Sequence, residues 1–158
     1  MVKRLTAVLA ALALLAGCGV RPTPPLSGGD GPRGLAEGPT LYFLQGNRPT
    51  PVVRKIGKLG DYNTALRELF NGITEDDPRG LSTALPGNGV GELSATVTER
   101  NTVEVEVHGA DGSLLPLNSW AVNQIVCTVA ARHLATGGIY GVGTVLVNRT
   151  SVRCPVSV

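Results

Sequence analysis

An apolar run near the start of the chain, Leu5 to Leu14, decides which later residues can count as folded structure. It follows Lys3 and Arg4 and ends in the small-residue stretch Leu15-Ala16-Gly17-Cys18. A bilayer-spanning helix needs about 20 apolar residues. This run is too short for that role. A cationic start, a short apolar segment and small residues at its end make a secretory signal peptide over residues 1–17, cleaved between Gly17 and Cys18.

The four residues Leu15-Ala16-Gly17-Cys18 resemble the lipobox of bacterial lipoproteins. In that family the cysteine carries a thioether-linked diacylglycerol and becomes the first residue after cleavage. The resemblance implies that Cys18 bears the lipid, and that the protein is held at the extracytoplasmic face of the cell membrane. Each buried acyl methylene contributes about 0.8 kcal/mol, and two chains suffice for stable anchoring.

Processing changes the reading of composition. Of 158 residues, removal of 17 leaves 141, enough for one domain and a tail. The chain has 14 basic and 12 acidic residues, and the excess is Lys3 and Arg4, both in the signal peptide. The remainder is close to neutral, so no long-range field argues for a nucleic-acid partner. With Cys18 assigned to lipid, Cys127 and Cys154 remain of the 3 cysteines. In an oxidising compartment they read as a disulfide, with two unpaired buried thiols as the alternative. They lack CxxC spacing and have no histidine near them in the way a metal site needs, so no metal and no cofactor beyond the lipid is expected.

Residues 18–39 are crowded with glycine and proline and lack apolar periodicity. They cannot offset their own ordering entropy, and read as a tether with ends roughly 25 Å apart.

The domain spans 40–158. Thr40–Leu44 and Val52–Ile56 read as strands, with Asn47–Pro51 as the turn between them. Asp61 or Asn63 caps a helix to about Asn71, with Tyr62, Leu66, Leu69, Phe70 and Ile73 on one face. Alternation over Leu93–Val97 and Val103–Val107 predicts a hairpin. A second, well-buried helix starts at Asn118 or Ser119 and ends near Gly137-Gly138. A final hairpin, Tyr140–Val147 and Ser151–Val156, turns at Asn148-Arg149. Its Val152, Cys154 and Val156 share a face that would bring Cys154 towards Cys127. The order ββαββαββ predicts an α+β fold, two helices on one face of a mainly antiparallel sheet.

Catalytic patterns are weak. Ser82 lies in Gly80-Leu81-Ser82-Thr83-Ala84, which lacks the last glycine of a nucleophile elbow. Glu75, Asp76 and Asp77 precede a proline and read as a solvated loop rather than an acid–base pair. Gly87, Gly89 and Gly91 lack the dinucleotide spacing and read as turn residues. His108 reads as an unremarkable strand-end residue and His133 as a cap or surface residue.

Taken in order, Leu41-Tyr42-Phe43, Val52-Val53-Arg54, Ala65-Leu66-Arg67-Glu68-Leu69-Phe70 with Gly72, Gly80 to Pro86, Val103–Val107 and Gln124 to Thr128 resemble the GerMN domain. That domain occurs in sporulation and germination proteins and in envelope lipoproteins. The resemblance covers about Pro39 to Val147 and implies a small α+β module without catalytic residues. The function it implies is non-enzymatic assembly with an envelope protein or with itself; the alternative is a module binding a small ligand or cell-wall fragment.

Overall fold

The computed structural model describes residues 38–98, 102–136 and 144–156. The expected signal peptide, the expected cleavage and lipidation site at Gly17–Cys18, and nearly all of the expected tether lie outside them. The fold is α+β, with two helices and two mainly antiparallel sheets.

The first sheet starts with β1 (Thr40–Gln45) and β2 (Arg48–Val53). Gly46 has φ +60° and permits a two-residue turn, so Gln45 pairs with Arg48 and β2 begins before Pro49. This corrects the expectation of a turn over 47–51 and a strand over 52–56. The Arg54 N–H donates to Pro39 O, which makes 41/52 and 43/50 the hydrogen-bonded pairs. Pro49 and Pro51 therefore point their nitrogens away from β1, where a missing donor costs no ladder bond.

Helix α1 (Tyr62–Phe70) is capped by Asp61, whose carboxylate accepts from the Thr64 N–H at 2.7 Å. It buries Ala65, Leu66 and Leu69. A two-residue strand, β3 (Leu81–Ser82), joins the free side of β1 at Leu44 and Gln45. The sequence offered no sign of it.

The second sheet runs β4 (Val90–Val97), β5 (Thr102–Gly109), β6 (Thr144–Val147) and β7 (Thr150–Val152). The expected β4–β5 antiparallel pairing is present, with a register shift between Val90 and Glu92. At that shift Gly91 lies so close to the Gly109 carbonyl that a Cβ would stand 2.5 Å from it. Gly91 is thus a close-approach glycine within β4, not the turn residue expected. Helix α2 (Ser119–Ala135), capped by Asn118, carries the chain from β5 to a parallel β6. Such a crossover is the connection parallel neighbours require. The β6–β7 hairpin turns at Asn148 and Arg149, with φ +46° and +67°. β7 ends at Val152, short of the expected Val156; the expected strand residues 140–143 lie outside the described ones.

The expected single sheet is divided in two, and α2 is the element that touches both parts. α2 packs on β1 of one sheet and on β6 of the other. Gln124 and Thr128, one helical turn apart and both 0 % exposed, complete the edge of β1. The Gln124 amide donates to Tyr42 O at 3.0 Å and accepts from Ala84 N at 2.8 Å. Thr128 Oγ1 accepts from Tyr42 N at 3.0 Å. Around them Leu41, Phe43, Leu66, Leu69, Val105 and Ile125 form the centre of one core cluster.

Replacing Gln124→Met keeps most of the volume but strands Tyr42 O and Ala84 N. Each unpaired buried group costs about 1–3 kcal/mol. The variant is expected to unfold at clearly lower urea than the parent, and an unchanged midpoint would remove Gln124 from this role. Asp61 gives a pH signature. Its folded pKa is lowered, first by its hydrogen bonds to Thr64. Its capping contribution is therefore complete above the ordinary value of 3.8 and fades as pH falls through the depressed folded value. Asp61→Ala should lose about 1 kcal/mol at neutral pH and progressively less in acid, as read by denaturation at several pH values.

Candidate functional site

Beside β6 and β7 the surface sinks into a groove of about 460 Å³. One side is the extended segment Leu114–Leu117, the other the first turns of α2 at Ser119, Val122 and Asn123. Val147, Thr150 and Val152 of the hairpin complete it. Its apolar lining is interrupted by a few polar side chains, a composition suited to an apolar ligand or peptide.

Asn148 sets the groove's shape. Its N–H donates to Val105 O at 2.9 Å, its side-chain oxygen accepts from Val107 N at 2.9 Å, and its Nδ2 donates to Leu115 O at 2.9 Å. The side chain thus extends the β5–β6 ladder by one rung and pins the 114–117 segment against it. Asparagine also tolerates the left-handed backbone required here. Because Nδ2 is engaged, the Asn148-Arg149-Thr150 sequence offers no free amide.

A second depression, of about 740 Å³, lies by β2 and the 74–78 loop, among Val53, Arg54, Lys55, Glu68, Asp76 and Asp77. Arg54 is 8 % exposed. Its guanidinium donates to Thr74 Oγ1 at 2.8 Å, Gly72 O at 3.0 Å and Asp77 Oδ2 at 3.0 Å, and stands 5.8 Å from the Phe43 ring centre. Asp77 also accepts from Thr74 N at 2.8 Å. The solvated loop expected over Glu75–Asp77 holds for the exposed Glu75 and Asp76 but not for Asp77, whose side chain is 5 % exposed. Asp77 folds the loop around a buried cation instead of facing water.

The other sequence-level candidates are dispersed. The Ser82 hydroxyl donates to Leu44 O at 3.4 Å. His133 shares a 2.7 Å hydrogen bond between Nδ1 and the Tyr62 hydroxyl, so it fastens α2 to α1 rather than capping or lying free. Arg132 assists by donating to Gly60 O and lying 5.7 Å from the Tyr62 ring centre. Burial raises the Tyr62 pKa, opposed by the Arg132 charge, and the hydroxyl stays protonated at neutral pH. His108 forms an isolated bridge with Leu114, and its buried Nδ1 has no hydrogen-bond partner among the described residues. Cys127 and Cys154 are joined in a disulfide, Cα atoms 4.8 Å apart. Among the described residues no group of three or more His, Cys, Asp or Glu side chains could hold a metal ion, and no helix is long and apolar enough to cross a membrane.

No family model matches the chain, and neither a curated protein nor a solved structure matches it.

Asp77→Asn tests the second depression. Removing one partner of a buried pair leaves an uncompensated charge and costs about 3–5 kcal/mol. The variant should lose stability on that scale in chemical denaturation, whereas Asp76→Asn next to it should change little.

Proposed function

We propose that this protein is a non-enzymatic lipoprotein of the cell envelope, held by a lipid on Cys18 at the outer face of the cytoplasmic membrane. Its GerMN-like domain assembles with an envelope protein or with a second copy of itself. The observation that carries this reading is the cysteine accounting. Two of the three cysteines are joined inside the domain. The third stands alone at the junction of the apolar run and the tether, where a lipid would be attached.

Two further observations support it. A structural disulfide suits an oxidising compartment outside the cytoplasm. The groove beside β6 and β7, together with Trp120 at 38 % exposure, offers the kind of apolar surface that protein assembly uses.

A second reading is favoured by Ser119, Asn123 and Thr150 along the same groove. These polar groups could orient a small envelope ligand such as a wall fragment. Thermal-shift measurements across wall fragments separate the readings, since only a ligand-binding module gains stability from them.

Anchoring is tested first. A clickable palmitate analogue should label the full-length chain in the membrane fraction, and Cys18→Ala should abolish both the label and membrane retention. Labelling that survives the substitution would overturn the assignment of Cys18.

A further inference from the structure

Residues 153–156 follow β7 after the chain has left the sheet. Half-buried Cys154 ties this stretch to Cys127, which is 0 % exposed in the middle of α2. Beyond the bond, Pro155 and Val156 wall one side of a groove of about 560 Å³. The opposite wall is the β1–β2 hairpin, including Tyr42, Pro49 and Pro51. In the strand register Tyr42 faces Pro51 and Leu44 faces Pro49, so these residues share one face of the first sheet. Tyr42 is 4 % exposed, and burial raises its pKa.

Little besides the covalent bond fastens the stretch. β7 contributes three residues of pairing, and the core draws on residues 153–156 only for the partly buried Cys154. Among the described residues, no backbone hydrogen bond outside the strand ladders reaches residues 153–156.

We propose that the Cys127–Cys154 disulfide latches a redox-released strap: reduction by a dithiol frees residues 153–156 and opens the Tyr42–Pro49 groove while the rest of the domain stays folded. Cys154, the less buried residue of the pair, is the point of attack. A thiolate of the reductant bonds to Cys154 Sγ, and the bond to Cys127 breaks with Cys127 leaving as a thiolate that takes up a proton. The second thiol of the reductant then displaces Cys154 from the mixed disulfide. Two electrons pass to the protein, both cysteines end as thiols, and the reductant ends as a disulfide. The strap belongs to the domain alone and does not depend on how the chain is anchored.

The test compares the oxidised full-length protein with protein reduced by dithiothreitol and desalted without oxygen, by hydroxyl-radical footprinting of side chains and by hydrogen exchange, both read by mass spectrometry. After reduction, the Tyr42 side chain beneath Pro155 and Val156 should be oxidised severalfold faster, while the amides of β4 and β5 keep their protection. Trypsin should gain a cut after Arg153. Unchanged labelling of the Tyr42 side chain overturns the proposal, because the strap then stays in place without its bond. Acceleration of β4 and β5 together with the strap also overturns it, because the bond then staples the whole domain. The double variant Cys127→Ala, Cys154→Ala must show the released pattern without reductant; a protected groove or global unfolding in that variant counts against the strap equally.

Discussion

The fold depends on the way a buried glutamine replaces a stretch of strand. β1 pairs with β2 on one side, while on the other β3 reaches only Leu44 and Gln45. The peptide groups of Tyr42 would be left open inside the protein, at a cost no small core can ignore. Gln124 and Thr128 close that gap from the helix, and Gln124 also holds Ala84. One helical turn therefore fixes the distance between the first sheet, the 83–85 segment and α2. The core around Phe43 and Ile125 packs within that frame.

The same device recurs. Asn63 of α1 accepts from Ala95 N on the outer side of β4, at 2.9 Å. Asn148 supplies the rung that β6 lacks beside β5. Pro49 and Pro51 remove donors from the outer side of β2, and β3 and β7 are too short to recruit a strand. Among the described residues each outer strand is thus shortened, proline-bearing or partly occupied by a side chain. Assembly by strand addition is poorly served by such a domain. Faces and grooves are its usable surfaces.

Much of this was legible from residue order. Asp61 and Asn118 carry the short polar side chains that helix starts require, and both cap as expected. Cys127 and Cys154 were paired by compartment and by the alternation that turned Cys154 towards α2. The division of the sheet was not legible, because Gln124 and Thr128 look in sequence like interruptions of an apolar helix. Their partners are peptide groups 40 to 86 residues away, which no local pattern encodes. Asp77 was misjudged for a related reason: a carboxylate beside a proline looks solvated unless Arg54 is known to lie across from it. Pro49 and Pro51 read as turn residues because the direction of a strand nitrogen depends on a register that appears only after pairing. The groove owes its form to Asn148, whose role as an extra rung is likewise a property of the assembled ladder.

The parallel pairing of β5 with β6 has a temporal consequence. β5 ends at Gly109 and β6 begins at Thr144, so a chain growing from its N-terminus completes β5 well before that neighbour exists. Until α2 and β6 follow, β5 can pair only with β4, and its other side stays open. The latest contact to form on that side is the Asn148 rung, which follows β6 and completes the cover of β5 at Val107. Long-range closure of this kind slows folding and prolongs exposure of an unpaired strand. A chain shortened by its last dozen or so residues would lose that rung and leave the Val107 end of β5 adhesive.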